Sequence, residues 1–203
     1  MQQLYLTNFK IAAIITATLA VIILVLSFII GNQPLFLYLN GDGGKAADFF
    51  FKWVTQLGET IPWVTALLLM LKWRKQYLLL LVYSFVVSTI LAQGIKNLLP
   101  VQPRPTKAIA NLQLVHVVQG VDLHQFFSFP SGHTTTAFTV FFIACLCIRQ
   151  KWVLPVGFVY ALLVGYSRIY LAQHFPRDVA GGMLIAIITV YISLRLSAKK
   201  ITV

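Results

Sequence analysis

Long apolar stretches separated by short polar connections dominate the chain. A helix needs about 20 apolar residues to cross a bilayer, so the pattern predicts an all-α, polytopic membrane protein built as a bundle of six transmembrane helices. The second stretch is short and is expected to draw on the aromatic-rich residues Phe49–Leu57 before it. The six apolar stretches are Ile11–Ile30, Thr60–Leu71, Tyr77–Leu99, Thr134–Ile148, Trp152–Gln173 and Val179–Ala198.

Composition strengthens the membrane prediction. Of 203 residues, 59% are hydrophobic and only 10% are charged, whereas an average soluble domain is about 25% charged. Six spans use most of the chain, so residues 1–203 are expected to form a single domain. The net charge of +11 comes from cations placed between apolar stretches, which indicates membrane topology and not a nucleic-acid partner.

Lysine and arginine are densest in one alternate set of connections. Positive residues favour the cytoplasmic side, so both termini are expected in the cytoplasm and the long connection from Pro100 to His133 is expected to face outward. The cations of the denser set are Lys10, Lys72, Arg74, Lys75, Arg149, Lys151, Arg195, Lys199 and Lys200.

Several ionisable residues stand within or beside the apolar stretches, where their burial is costly and usually functional. The predicted topology places all of them at the outer ends of their helices. Helix ends on one side of a bundle can meet although their sequence positions are far apart, which predicts a polar pocket near the outer headgroups. These residues are Lys96, His133, Arg168, His174 and Asp178.

The chemistry of this pocket suits a phosphate. Lys96, Arg104 and Arg168 offer fixed positive charge, and a guanidinium fork matches phosphoryl oxygens. Ser131 and Gly132 lie where the fourth predicted helix begins, and exposed backbone N–H groups at a helix start bind anions. Three permanent cations would repel a divalent metal ion, so no metal site is predicted.

The remaining residues of the pocket suit phosphoryl transfer. His174 and Asp178 are four residues apart, so the carboxylate can hold one imidazole nitrogen and leave the other as a nucleophile. Pro176 between them either interrupts a helix or lies in the first turn of a new one. His133 can donate a proton to the leaving oxygen.

Three segments of this pattern resemble the signature motifs of the type-2 phosphatidic acid phosphatase (PAP2) superfamily. In the first segment the family usually has six residues between its lysine and Arg-Pro, whereas seven lie here. The second and third match in residue type and spacing. The segments, which fall within residues 96–178, are Lys96 with Arg104-Pro105, then Pro130-Ser131-Gly132-His133, then Ser167-Arg168 with His174 and Asp178.

The resemblance implies a phosphatase that needs no metal or cofactor, has a six-helix membrane core and forms a phosphohistidine. It assigns His174 as the nucleophile, Asp178 as its orienting partner and His133 as the proton donor. It assigns phosphate binding to Lys96, Arg104, Ser131, Gly132 and Arg168.

The resemblance also implies a membrane lipid phosphate or diphosphate as substrate, with undecaprenyl diphosphate the leading expectation. Lipid A phosphates, phosphatidylglycerophosphate and phosphatidic acid remain open, as does phosphotransfer to another acceptor. A non-hydrolytic lipid-phosphate binder or transporter is the alternative from another class. The expected location is a bacterial inner membrane with the site on the periplasmic or outer face, in contact with the bilayer and without an obligate protein partner.

Four further polar residues lack support from any motif. Glu59 and Asp122 are predicted to face water, although either could orient a polar headgroup. His116 and His124 are predicted to be ordinary loop residues.

Overall fold

The computed structural model describes residues 5–197, and all of the regular structure in this range is helical. This confirms the prediction of an all-α protein. Short 3-10 turns cover Thr55–Gly58, Lys75–Tyr77 and Leu112–Leu114. The α-helices are α1 (Leu6–Ile29), α2 (Asn32–Leu39), α3 (Gly44–Val54), α4 (Ile61–Trp73), α5 (Leu78–Leu98), α6 (Pro105–Ala108), α7 (Gly132–Cys147), α8 (Val153–Tyr170) and α9 (Pro176–Ser197).

Each predicted apolar stretch contains one helix, but not every helix is long enough to cross a membrane. Within the described range, α1, α8, α9 and the unit Lys75–Leu98 qualify by length and composition. The α3 and α4 segments qualify together as a fifth, bent by 53° at the turn between them. Helix α7 is apolar but has 16 residues. Ala198, Lys199 and Lys200, which the sequence analysis used, lie outside the described residues.

Helix α9 is the central helix of the bundle and packs against α1, α5 and α7. Its glycines permit a close approach to the start of α7. A Cβ atom added at Gly182 would lie 2.7 Å from the backbone oxygen of Ser131 and 2.9 Å from Cβ of Thr134. The two helix starts are also joined by the backbone N–H of Ser131, which donates to the carbonyl of Asp178 at 3.0 Å. This packing brings the second and third sequence motifs together.

The connection between α8 and α9 is a tight turn. Helix α8 ends at Tyr170, before the predicted end at Gln173, because the N–H groups of Gln173 and His174 both turn back to the carbonyl of Arg168, at 2.9 and 3.0 Å. Pro176 then opens α9, where its fixed φ and missing N–H are tolerated. His174 therefore lies between two helices, and the prolyl residue is in the first turn of a new helix.

The long connection before α7 folds back on itself over one end of the bundle. The N–H of Arg104 donates to the carbonyl of Gln125 at 2.8 Å, and that of Ser128 donates to the carbonyl of Gln102 at 3.2 Å. These hydrogen bonds pair residues 102–104 with residues 125–128 as two short antiparallel arms, one of which carries Arg104 and the other Ser128. Both residues are placed over the ends of α8 and α9, next to His174 and Asp178.

The same connection is anchored a second time through His116. Its Nε2 lies 2.9 Å from Oδ1 of Asp48, which also accepts a hydrogen bond from the Tyr170 hydroxyl at 2.6 Å. The His116 N–H donates to Oδ1 of Asn40 at 2.8 Å. His116 is a loop residue, as predicted, but it ties the loop to α3 and to the end of α8.

Candidate active site

All eight residues proposed from the sequence lie at one end of the bundle. Helices α5 and α8 end there and helices α7 and α9 begin there, so each contributes a terminus to one small volume. The long connection before α7 contributes Arg104 and contacts Asp178 through Ser128, and the turn between α3 and α4 contacts Arg168 and His133. The eight residues are Lys96, Arg104, Ser131, Gly132, His133, Arg168, His174 and Asp178.

His174 and Asp178 form a buried pair. Their side chains are 2% and 0% exposed, and Nδ1 of His174 lies 3.6 Å from Oδ2 of Asp178. That carboxylate oxygen is already held by two donors, the Ser128 hydroxyl at 2.5 Å and the Phe175 N–H at 2.9 Å. The carboxylate is thus fixed in place and its oxygen points toward one nitrogen of the imidazole, leaving the other nitrogen, Nε2, for chemistry.

Arg104 is buried and held rigidly. Its Nε donates to the carbonyl of Phe126 at 2.9 Å, and one terminal nitrogen donates to the carbonyl and side-chain oxygens of Gln173, at 3.3 and 3.2 Å. A guanidinium carries five N–H donors, so donors remain for a bound anion. The contacts with Gln173 place this cation beside the neighbouring residue His174.

Arg168 is positioned by the turn between α3 and α4. A terminal nitrogen donates to the Thr55 hydroxyl at 2.5 Å, and the side chain is buried. Thr55 begins the 3-10 turn between α3 and α4. A hydroxyl holds the guanidinium without neutralising its charge, which therefore remains available to a phosphate.

The start of α7 contributes three of the proposed residues. Ser131 is the N-cap, and its hydroxyl oxygen accepts from the N–H and the hydroxyl of Thr134, at 3.4 and 2.9 Å. A Cβ added at Gly132 would meet no atom within 4 Å, so there is open space beside this backbone. His133 follows directly, with its Nε2 2.9 Å from Oε1 of Glu59.

The charge of Lys96 lies near the other proposed site residues. It lies in the last turn of α5 and is half-buried. Its ammonium group interacts electrostatically with Arg104, Arg168 and Asp178. The additional residue in its motif therefore does not remove it from the site.

Burial and positive charge set the protonation of the loop residues. Burial lowers the pKa of Arg104, but the group remains a cation because its ordinary pKa is so high. Burial, followed by the charges of Arg104, Arg168 and Lys96, holds the pKa of His174 well below its ordinary value. His174 is therefore a neutral imidazole at neutral pH, which is the nucleophilic form.

Unsatisfied polar atoms collect at this site. Within residues 5–197, Nε of Arg168, Nδ1 of His174 and Oδ1 of Asp178 are buried and have no hydrogen-bond partner. A buried polar group left without a partner costs about 1–3 kcal/mol. Of these three atoms, Nε of Arg168 is the donor that a bound anion satisfies.

The structure adds residues that the sequence analysis did not select. Ser128, Thr55 and Gln173 each hold a proposed site residue, but none belongs to a motif or stands at a spacing that would reveal it. Glu59 was predicted to face water, and the structure agrees with this exposure but adds a partner. Its side chain is 48% exposed but is also paired with His133. The sequence offers one weak signal for Glu59. It is one of only five acidic residues in the chain, and it directly follows Gly58.

Comparisons with known proteins agree with this geometry. The profile described as "PAP2 superfamily" matches residues 77–202. The undecaprenyl-diphosphatase of Sulfolobus acidocaldarius is 31% identical over 156 residues, which are 76% of this chain and 72% of that protein. The lipid A 4'-phosphatase of Bacteroides thetaiotaomicron is 28% identical over 164 residues, covering 76% and 71% of the two chains.

A solved structure shows the same architecture. The crystal structure of Aquifex aeolicus LpxE superposes with a TM-score of 0.70 at 33% sequence identity, and the match covers 81% of this chain and 94% of that one. The profile match includes every proposed site residue from Lys96 to Asp178. The chain therefore belongs to the PAP2 superfamily and is a phosphatase of this type.

Proposed function

We propose that the protein is an integral membrane phosphatase that hydrolyses a lipid phosphate or diphosphate through a phosphohistidine on His174, without a metal ion. The observation that carries this proposal is a buried imidazole with Nδ1 3.6 Å from Asp178 Oδ2, close enough to Arg104, Arg168 and Lys96 to feel their charge. A binding site for an anion needs the cations but has no use for an oriented imidazole.

In the first step, Nε2 of His174 attacks the phosphorus atom. An N–P bond forms, and the bond from phosphorus to the leaving oxygen breaks. His133 gives its proton to that oxygen, and the lipid alcohol or lipid phosphate departs. Asp178 stabilises the positive charge that develops on the His174 ring, and its contact with Nδ1 is expected to shorten because catalytic hydrogen bonds often tighten with substrate bound.

In the second step, a water molecule attacks the phosphohistidine. The water gives a proton to His133, the N–P bond breaks, and its electron pair returns to Nε2 of His174. Inorganic phosphate leaves, and both histidines regain their starting protonation. Arg104, Arg168 and Lys96, with the N–H groups at the start of α7, stabilise the phosphoryl oxygens in both steps. One such donor is worth about 3–4 kcal/mol in other enzymes.

The residues around this space are a poor set of ligands for a divalent cation. Arg104, Arg168 and Lys96 all carry positive charge into it, and Oδ2 of Asp178 already accepts hydrogen bonds from Ser128 and the Phe175 N–H. The three cations supply the electrostatic stabilisation that a metal ion gives in other phosphatases.

We propose six membrane crossings, with the bent pair α3 and α4 as one crossing and α7 as another. At about 1.5 Å per residue, the 16 residues of α7 extend about 24 Å, and the turn before it covers the remaining depth. The cations at the bundle end opposite the site support an outward-facing site and cytoplasmic termini. In the described part of the chain they are Lys10, Lys72, Arg74, Lys75, Arg149, Lys151 and Arg195.

For the substrate we propose undecaprenyl diphosphate, at the outer face of a bacterial inner membrane. The Sulfolobus acidocaldarius relative, an undecaprenyl-diphosphatase that matches over most of both chains, supports this assignment. The second candidate is a lipid A phosphate, which the Bacteroides thetaiotaomicron lipid A 4'-phosphatase supports. Both substrates present a phosphate at the headgroup level, where the proposed site lies.

The test is phosphate release by the purified protein in detergent with EDTA, over a panel of prenyl, glycerolipid and lipid A phosphates. We expect hydrolysis by the wild type, none by His174→Ala, and wild-type rates for the matched loop variant His124→Ala. Lipid binding without turnover across the panel would favour the non-hydrolytic binder. Substantial hydrolysis by His174→Ala would refute the assigned nucleophile. A lipid acceptor added to the assay detects phosphotransfer.

A further inference from the structure

The turn between α3 and α4 touches two different parts of the proposed machinery. Thr55, at its start, accepts a hydrogen bond from Arg168. Glu59, directly after its end, lies 2.9 Å from Nε2 of His133. A five-residue segment outside the three sequence motifs therefore contacts both a phosphate-binding cation and the proposed proton donor.

Close packing fixes this turn against His133. A Cβ atom added at Gly58 would lie 2.8 Å from Cβ of His133 and 2.7 Å from Cγ1 of Val164. Only glycine allows the backbone to approach this closely without moving a neighbour. Glu59 is the next residue, so the close packing of Gly58 also fixes the backbone of Glu59 near the His133 ring.

The chemistry of His133 calls for such a partner. A general acid must carry its proton at the moment of bond cleavage, yet Arg168, Arg104 and Lys96 all place positive charge near this ring. Glu59 is the carboxylate that faces it in the described structure. A carboxylate at hydrogen-bond distance orients an imidazole and stabilises its protonated form, as in other acid–base pairs.

We propose that Glu59 is a positioning residue for His133, an inference that rests on the proposed function. Glu59 accepts a hydrogen bond from Nε2 and thereby makes Nδ1 the nitrogen that gives its proton to the leaving oxygen. When water later attacks the phosphohistidine, the same nitrogen takes up a proton and Glu59 stabilises the imidazolium. Glu59 itself touches neither phosphorus nor its oxygens.

A cavity beside Glu59 and His133 can hold the leaving group. It has a volume of about 350 Å³, lies between α4, α5 and α7, and is lined by both Glu59 and His133. Trp63 and Phe85 provide apolar walls, and Thr89 lies on the side of α5. The leaving oxygen of a substrate whose lipid lies in this cavity would face His133 and not His174.

This role predicts a dependence on the leaving group. A lipid alcohol departs as a strongly basic alkoxide unless it is protonated, whereas a departing phosphate has an ionisation near pH 6 and needs less help. Loss of Glu59 should therefore impair hydrolysis of a monophosphate more than hydrolysis of a diphosphate with the same tail. A role in folding alone would impair both equally.

The experiment compares farnesyl monophosphate and farnesyl diphosphate as substrates for the full-length protein in detergent. For Glu59→Gln, which keeps size but removes charge, we expect kcat to fall about 10- to 100-fold on the monophosphate and less than about threefold on the diphosphate. KM should change little. Glu59→Asp should recover part of the loss, and the exposed acid-to-amide control Asp122→Asn should match the wild type on both substrates.

A double-mutant cycle on the monophosphate completes the test. If Glu59 acts through His133, then Glu59→Gln should cost nothing further in the His133→Ala background. Three results would each overturn the inference and leave the proposed phosphatase function standing. They are an equal loss of kcat on both substrates, an additive loss in the cycle, and wild-type kinetics of the Glu59→Gln variant. Failure of the wild type to hydrolyse either substrate, together with failure on the wider lipid panel, would instead refute the proposed function and the inference with it.

Discussion

Replacing Ser128 with alanine removes one hydroxyl from the centre of the site and little else. Ser128 is 0% exposed, and its hydroxyl donates to Oδ2 of Asp178 at 2.5 Å. That oxygen is the one nearest His174. The Phe175 N–H still holds it in the variant, so the carboxylate stays in place but loses one of its two donors and can turn away from the imidazole.

The size of the effect follows from the kind of bond that is lost. A hydrogen bond to a charged group is worth about 1.5–3 kcal/mol, and burial keeps water from replacing it fully. Each 1.36 kcal/mol corresponds to a factor of ten in rate, so kcat should fall about 10- to 150-fold. The Ser128 hydroxyl donates to Asp178 and not to a proposed phosphate-binding residue, so KM should change much less than kcat.

The assay is phosphate release from a lipid diphosphate, with kcat and KM measured separately and thermal unfolding followed in the same detergent. Ser193→Ala is the matched control, because Ser193 is equally buried in α9 but donates to the carbonyl of Thr189, away from the site. We expect the control to keep its kcat. A Ser128→Ala enzyme with unchanged kcat, or one that loses only substrate affinity, would refute the proposed role of the carboxylate.

Three further predictions concern the cations and the nucleophile. Thr55→Val should weaken binding about 10-fold by releasing Arg168, whereas Thr55→Ser, which keeps the hydroxyl, should bind normally in a phosphate-analogue competition assay. Arg104→Lys should lower kcat/KM about 10- to 100-fold, because an ammonium cannot bond Phe126, Gln173 and a phosphoryl oxygen in one plane; near-normal kinetics would contradict this. Since burial and the neighbouring cations lower the pKa of His174, 15N NMR of the resting protein, assigned with the His174→Ala variant, should show a neutral ring at pH 6.5, the ordinary pKa of a histidine, and a charged or half-protonated ring at that pH would be inconsistent with the burial described.

The helices could be predicted from the sequence because hydropathy is a local property. Every predicted apolar stretch contains a helix, and proline ends α5 and opens α9 as its stereochemistry requires. The boundaries depend on contacts that are not local. Helix α8 ends early because the carbonyl of Arg168 receives two N–H groups from the following turn, and no hydropathy pattern contains that information.

The site divides in the same way. Motif spacing selected residues such as His174 and Arg168, which touch the space proposed for phosphate. It did not select Ser128, Thr55 or Glu59, whose importance comes from side chains that are brought near only by the packing of distant segments. A carboxylate in a polar connection is usually solvated, so Glu59 was predicted to face water, and only the close packing of Gly58 on His133 reveals its pairing.

The most direct measurement is the capture of the covalent intermediate. The wild-type protein is mixed with a lipid diphosphate labelled with 32P in the terminal phosphate, quenched with base within milliseconds to seconds, digested and mapped by mass spectrometry. We predict an acid-labile, base-stable phosphate on Nε2 of His174, absent in His174→Ala and longer-lived in His133→Ala when water attack is slowed. Turnover without any labelled protein, or a label on another residue, would contradict the proposed mechanism.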